Sequence, residues 1–381
     1  MKILHTSDWH LGRQFHGQSL EADHEHVLDQ VLAAVRTHQP DALIVAGDVF
    51  DRASPPAEAV RQFNSFVERF AADSDAAIVL IAGNHDSGDR IASLAALADR
   101  SRVLIRGPLV SDERPLIISD EYGPVAFSAL PFGNEFAARE CYPEAVIAKP
   151  SDVIAAQVAA ARSHVPDGAR WVLVAHTFVT NAVASESERP ISLGGVDTVR
   201  PEAFSGAHYV ALGHLHRPQF TGQPHIRYSG SPLAFSFDEA GSTKSMCLVE
   251  LRADGAVACD LLPFTPLRRV RTLRGLFADL LTQAIANPSD DFLEIVLADQ
   301  GAIVDAMGRL RQHYPNALRM RLETIETKSA TAPSGGVGIA VDPMAVVEEF
   351  FVHVRASPLH DDERAIVQRA LGHTYAKERA A

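Results

Sequence analysis

Short apolar runs alternate with amphipathic ones through the first hundred residues. KILHTS, ALIVAG and AIVLIAG are continuous apolar stretches of strand length, and Leu20 to Thr37 and Pro56 to Ala71 between them carry apolar residues at helical spacing. A further helix is expected through Ala92 to Leu97. Strand and helix in alternation build a parallel sheet covered by helices. From Pro108 to Pro263 the texture changes to β-rich segments punctuated by Gly and Pro, with one clear helix near Ser151 to Arg162, which predicts a second sheet packed on the first.

PFTPLRRV reads as the exit from this domain. Beyond it, FLEIVLA and ALRMRLETI flank a helical stretch from Ile303 to His313, the pattern of a small αβ unit. TKSATAPSGGVG then has linker composition and no apolar period. In DPMAVVEEFFVHVR, Met344, Val347, Phe350, Phe351 and Val354 fall on one face of a helix that Asp342 and Pro343 start, and a second helix is expected from Asp361 to Ala370. The expected domains are therefore residues 1–266, 267–327, a flexible linker at 328–341, and a helical segment at 342–377. Such a helix pair either packs back on its own domain or, beyond a flexible linker, docks on another protein.

The chain has 381 residues, more than one core usually serves, with 46% hydrophobic and 22% charged residues, as in ordinary globular proteins. No apolar run approaches the roughly 20 residues that span a bilayer, so no membrane association is expected. A strand that already belongs to the candidate site leaves no room for a removable signal peptide, which predicts a cytoplasmic protein. Cys141, Cys247 and Cys259 are widely spaced and outside any CxxC pattern, against a disulfide framework or a thiolate metal site. The formal net charge of −13 argues against coating nucleic acid through an overall positive field, but bound divalent cations would reverse that balance locally.

The chemistry lies where the apolar runs stop. Asp8 and His10 follow the first strand, Asp48 the second, Asn84 the third, His176 closes WVLVAH, and His214 and His216 close YVALGHLH. Open α/β sheets place their sites at the carboxyl ends of strands. Residues two apart, such as Asp8 and His10 or His214 and His216, can point to one face. Carboxylate, carboxamide and imidazole without thiolate suit Mn²⁺, Fe, Mg²⁺ or Zn²⁺ in a two-metal hydrolase. Asp48 is the expected bridging ligand. His85 and Asp86 beside Asn84 form an expected acid pair, with Asp86 orienting His85. His5, His208 and His225 read as packed core histidines. Arg13, Arg52 and Arg90 flank the metal motifs and are candidate phosphate contacts.

The strings DWH, GDVFD, GNHD, AHTF and GHLH resemble the pattern of the calcineurin-like metallophosphoesterases. HTSDWHLG, GNHDS and YSGSPLAFSFDE are similar to the SbcD nucleases, subunits of the bacterial SbcCD complex. The resemblance implies an α/β fold, a four-layer α/β/β/α sandwich followed by a small αβ capping domain and C-terminal helices. It also implies one metal held by Asp8, His10, Asp48 and His216 and another by Asp48, Asn84, His176 and His214, manganese being the family's usual ion. By the same resemblance, His85 assists the leaving group and Asp86 supports it. Archaeal and eukaryotic relatives carry a His three residues after the bridging Asp; here that position is Asp51, for which no catalytic role is expected.

The resemblance implies a Mn-dependent DNA nuclease, exonuclease on duplex ends and endonuclease on single strands or hairpins, in DNA replication, recombination and repair. Its partner would be an SbcC-type SMC-like ATPase bound through residues 342–377, with homodimerisation giving a heterotetramer. The chain has no GxxxxGK[ST], so any ATP dependence would come from that partner. The competing reading is a phosphodiesterase or nucleotidase of the same superfamily with a small substrate. A scaffold that only binds a partner is disfavoured by the complete ligand set.

Overall fold

The computed structural model describes residues 1–95, 101–188, 198–299, 301, 303–323, 344, 348, 351–352 and 360–368. Along the first hundred residues run β1 (Lys2–Thr6), a small hairpin of β2 (Gln14–Phe15) and β3 (Gln18–Ser19), α1 (Glu21–His38), β4 (Ala42–Ala46), α2 (Ala57–Asp73), β5 (Ala77–Ile81), α3 (Gly88–Ser93) and β6 (Val103–Arg106). The middle of the chain adds β7 (Leu116–Asp120), β8 (Gly123–Leu130), α4 (Glu135–Cys141), α5 (Pro150–Arg162), β9 (Arg170–His176), β10 (Tyr209–Gly213), β11 (Gln219–Thr221), β12 (Gln223–Tyr228), β13 (Ser245–Leu251) and β14 (Val257–Pro263). Then come β15 (Val270–Gly275), α6 (Phe277–Ala286), β16 (Phe292–Leu297), α7 (Ala306–Arg311) and β17 (Ala317–Leu322).

Two six-stranded mixed sheets form the centre, ordered β14-β13-β1-β4-β5-β6 and β11-β12-β10-β9-β8-β7. The alternation of side chains along each strand explains how they stack. Leu4, Leu43, Val45 and Leu80 face α1 and α2, meeting Val27, Val31, Phe63 and Phe66. Their neighbours Ile3, Ile44, Val79 and Ile81 face the second sheet, where Phe127, Val172, Val174 and Ala211 close the middle core. The far face of that sheet, with Leu173 and Leu212, is covered by Ile154 and Val158 of α5. The order is helix, sheet, sheet, helix. With both faces covered, the central strands read as unbroken apolar runs rather than alternating ones.

The chain returns to the first sheet late: β13 pairs antiparallel with β1, and β14 with β13. That return is invisible in the pattern, because β13 is apolar like any strand of the second sheet. α4 was also not anticipated; Asn134 caps it by accepting from the Ala137 N–H at 2.9 Å. The helix expected at Ala92 to Leu97 lies earlier, at Gly88–Ser93, where Ser87 is the cap; Leu97 lies outside the described residues.

β15, β16 and β17 form a parallel three-stranded sheet linked through α6 and α7. Its own core contains Phe277, Leu280, Leu293, Ile295, Leu310 and Tyr314. The opposite face presents Phe292 to Phe15, ring centroids 5.2 Å apart, while the Arg268 guanidinium lies 4.3 Å from the centre of the Phe292 ring. This α/β unit is thus seated on the sandwich, and Met1–Glu323 make one compact unit. Thr324–Ala381 make a second, in which residues 361–368 are helical and Arg364 pairs with Glu348. The expected linker at 328–341 lies outside the described residues, as do most positions of the first C-terminal helix.

Candidate metal centre

All seven expected ligands meet at one end of the two sheets. Asp8 and His10 follow β1, Asp48 follows β4, Asn84 follows β5, His176 ends β9, and His214 and His216 follow β10. β9 and β10 are register neighbours, with His176 opposite Gly213, so the second sheet delivers its three imidazoles side by side. Asp8, His10, Asp48 and His214 all take positive φ, at 54, 49, 48 and 102°. Four left-handed non-glycine residues in one site represent backbone strain held by surrounding structure, as functional centres often show.

Two glycines make the close approach possible. A Cβ on Gly47, whose φ is +91°, would lie 2.3 Å from His176 Nδ1, and one on Gly83 would lie 2.2 Å from Asp48 Oδ1. Any side chain at either position would push a ligand out of place.

The ligand atoms converge in two overlapping groups. Those of Asp8, His10 and His216 lie within 4.8 Å of one another, and so do those of Asp8, Asp48 and His176. His10 Nε2 and His216 Nε2 are 3.1 Å apart. Asn84 Oδ1 stands 2.9 Å from His176 Nε2 and 3.1 Å from His214 Nδ1. Asp48 lies between the groups: its Oδ2 is 3.6 Å from His10 Nε2 and 3.5 Å from His176 Nε2. Its Oδ1 accepts from the His85 main-chain N–H at 2.8 Å, so a single oxygen, rather than both, faces the two groups.

Burial shapes the charges. His10 and His216 are held well below the ordinary imidazole range by burial and by neighbouring positive groups, and burial lowers His214 to about 3. Neutral imidazoles keep lone pairs for a cation. Burial and Asp48 push Asp8 up to about 8, against the pull of His176. Burial works against the ionised form of Asp48 as well, but His176 and His85 overcome it and bring the carboxyl to about 2. Burial likewise opposes charge on His176, yet Asp48 and Asp8 carry it up to about 9. Two buried carboxylates among imidazoles, Asp8 pushed toward its neutral form and Asp48 held ionised, form a donor set whose charged state a divalent cation would favour. The residues fit a dimetal centre of oxygen and nitrogen ligands.

The expected His85–Asp86 pairing needs correction. Both Asp86 oxygens are committed to the main chain, accepting from Phe50 N–H at 2.9 Å and from Gly83 and Val49 N–H at 3.0 and 3.1 Å. Asp86 therefore ties the GDVFD loop to the GNHD loop. Burial and the charge of Asp48 push its carboxyl up to about 7. His85 Nδ1 is instead 2.8 Å from the main-chain carbonyl of Asp51, and a carbonyl only accepts, so Nδ1 carries a proton. The motif pattern left Asp51 without a part; its carbonyl has one, and its carboxylate lies 3.6 Å from His10 Nδ1.

The arginines differ. Arg13 is turned inward, pairing with Asp51 at 3.5 Å, donating to the Ser187 carbonyl at 3.2 Å and covering the Phe235 ring at 4.6 Å. Arg52 is exposed and, with Arg13, lines a polar cavity of about 220 Å³ beside the site. Arg90 is exposed in α3. His5, expected in the core, is fully buried with Nδ1 2.9 Å from the Tyr209 hydroxyl. His208 Nδ1 accepts from Trp171 N–H at 2.9 Å. Ser187, Glu188, Glu239 and Lys244, all close to His216, were not anticipated, although Glu239 ends the FSFDE string.

Residues 1–218 match the model of the calcineurin-like phosphoesterases. Residues 263–355 match the SbcD C-terminal model, described as the type 5 capsule protein repressor C-terminal domain. Among solved structures, the chain is similar to GAP50, the anchor in the inner membrane complex of Plasmodium, at 9% identity over 89% of this chain and 99% of that one, with a TM-score of 0.41. Among the described residues no helix is long and apolar enough to cross a membrane. The family match spans every candidate ligand from Asp8 to His216, so the chain belongs to the calcineurin-like phosphoesterases and carries an SbcD-type C-terminal domain.

Proposed function

We propose that this chain is a two-metal DNA nuclease, cutting duplex ends and single-stranded or hairpin DNA together with an SbcC-type ATPase in replication, recombination and repair. The observation that carries the chemistry is Asp48 Oδ2 between His10 Nε2 and His176 Nε2, 3.6 and 3.5 Å away. Asp8, His10, Asp48 and His216 would hold one ion, and Asp48, Asn84, His176 and His214 the other, with manganese the preferred metal. When bound, such a pair neutralises phosphoryl oxygens and acidifies a water for in-line attack.

The protein's own groups supply the rest. His176 Nδ1, 2.9 Å from the Ala46 carbonyl, carries a ring proton, so Nε2 is the nitrogen that would give up its proton to a cation and serve as the ligand. Asp8 accepts from the His214 N–H at 2.9 Å and so fixes the GHLH turn against the first strand. His85, oriented by the Asp51 carbonyl, holds a proton at Nε2 in its charged form and delivers it to the departing sugar oxygen. Asp86 acts on the loops rather than on the proton.

The choice of DNA rests on the SbcD-type C-terminal domain. We assign residues 1–266 to catalysis, 267–327 to capping, 328–341 to a linker and 342–377 to the ATPase contact, with the complex built on a homodimer. Arg52 and Arg90, exposed beside the centre, are the phosphate contacts we favour; Arg13 serves the site's interior.

The test is cleavage of end-labelled duplex and hairpin DNA with Mn²⁺, Mg²⁺ or Zn²⁺, with and without the ATPase and ATP. Metal-dependent shortening of the duplex and opening of the hairpin are expected. DNA left intact under all conditions, while a small phosphodiester is hydrolysed, would sink the nuclease reading.

A further inference from the structure

His216 is held at three atoms by side chains from outside the GHLH segment. Its main-chain N–H donates to Glu188 Oε1 at 2.7 Å, and its carbonyl accepts from Lys244 Nζ at 2.7 Å. Its ring Nδ1 lies 2.6 Å from Ser187 Oγ. Behind Ser187, Glu239 Oε1 is 2.7 Å away, and Lys244 closes the ring by pairing with Glu239 Oε2. Glu239 is fully buried and Lys244 nearly so.

The direction of these hydrogen bonds follows from counting protons. Glu239 accepts from Lys244 Nζ, from the Phe235 N–H at 3.2 Å and from Ser187, and a carboxylate in that setting has no proton to give. The single proton of the Ser187 hydroxyl therefore goes to Glu239. Toward His216 the hydroxyl oxygen can then only accept, so Nδ1 is the protonated nitrogen and Nε2 keeps its lone pair. Nε2 is the atom that faces His10 Nε2 at 3.1 Å.

The Ser187 loop is fastened at both ends of this arrangement. Arg13, three residues beyond His10, donates to the Ser187 carbonyl at 3.2 Å. Gln219 exchanges two hydrogen bonds with the main chain of Val183, both 2.8 Å. An ordinary surface loop has no need for a buried carboxylate and a buried ammonium at its back.

We propose that Ser187 and Glu239 are positioning residues for the metal centre, fixing the tautomer and ring angle of His216 so that Nε2 meets the cation. The proposal rests on reading His216 as a metal ligand. Partners on the far nitrogen of a ligating imidazole typically change metal affinity by about 10- to 100-fold when removed. Ser187→Ala removes the acceptor for Nδ1–H and leaves the Glu239–Lys244 pair in place. Ser187→Thr keeps the hydroxyl.

Two measurements on the full chain decide it. Titration calorimetry with Mn²⁺ should show one of two sites weakened roughly tenfold or more in Ser187→Ala and restored in Ser187→Thr. Long-range ¹H–¹⁵N correlation of ¹⁵N-histidine-labelled, metal-free protein should place the His216 proton on Nδ1 in the wild type and move or scramble it in Ser187→Ala. Unchanged affinity or an unchanged tautomer in Ser187→Ala would overturn the proposal while leaving the two-metal reading intact. If His216→Ala binds both ions as tightly as wild type, the ligand assignment itself fails, and the proposal with it. Glu239→Gln should follow Ser187→Ala in both readouts, and a folded Glu239→Gln with wild-type affinity would count against it.

Discussion

The metal centre and the three-stranded unit after Pro266 both contain buried charge, and they handle it in opposite ways. In the unit, Glu294 of β16 is nearly buried but satisfied, with Arg321 and Arg319 at 3.1 and 3.3 Å and the Thr272 hydroxyl at 3.2 Å. Its charges sit in complementary pairs, and of its described non-glycine residues only Asp305 takes positive φ. At the metal centre, two carboxylates and four imidazoles crowd together, backbone φ is positive at four ligands, and carboxyls are driven in opposite directions, Asp8 up to about 8 and Asp48 down to about 2. The lesson is that a region built to be stable neutralises its own charges, whereas a region built to bind cations leaves the last term to the ligand.

The largest expected effect tests that contrast directly. Asp48→Ala should remove the one oxygen facing both ligand groups, so elemental analysis should find neither ion retained, and phosphodiester cleavage should fall by more than about 10³-fold. The three-stranded unit should be undisturbed, as judged by unchanged amide exchange across β15 to β17. Equal metal content in wild type and variant would undo the bridging assignment.

His85→Gln separates proton delivery from metal holding within the same centre. Cleavage should drop by about 10²- to 10⁴-fold, with both ions still bound in calorimetry. Loss of an ion would mean that His85 is a ligand. Activity retained on a substrate with a good leaving group, such as a nitrophenyl phosphodiester, would support the acid role, because such a group needs no proton.

The smallest change touches the seam between the two regions. Phe292→Ala should cost about 3 to 5 kcal/mol of stability in urea unfolding, as expected for a buried aromatic, since Phe292 fills the space against Phe15 and under Arg268. Metal content should be unchanged. A parallel loss of metal would show that the seating of the α/β unit helps to shape the centre.

Much of this was readable from the chain. The ligand positions follow from apolar runs ending in Asp, His or Asn, because strands buried on both faces must be apolar and can offer polar groups only where they end. The helices α1, α2 and α5 were legible from their period, and so was the small αβ unit. Asp86 was misread because GNHD sets a carboxylate beside a histidine in sequence, while the fold turns that carboxylate to three main-chain N–H groups from two loops. Asp51 was passed over because its contribution is a carbonyl, which side-chain patterns never display. α4 and the return of β13 to β1 escaped for a related reason: local composition fits several partners, and only the completed sheet selects one.

By itself, then, the sequence determined the kind of chemistry, the residues able to perform it and the strand ends that carry them, since residue type and apolar period are local properties. Tertiary structure alone decided which atoms meet: Oδ2 of Asp48 between the ligand groups, the Asp51 carbonyl on His85, and Ser187 with Glu239 behind His216. Such contacts join segments from 29 to 52 residues apart around His216 and 34 apart at His85, and whether two groups so far apart in the chain come within hydrogen-bond distance is something no linear pattern encodes.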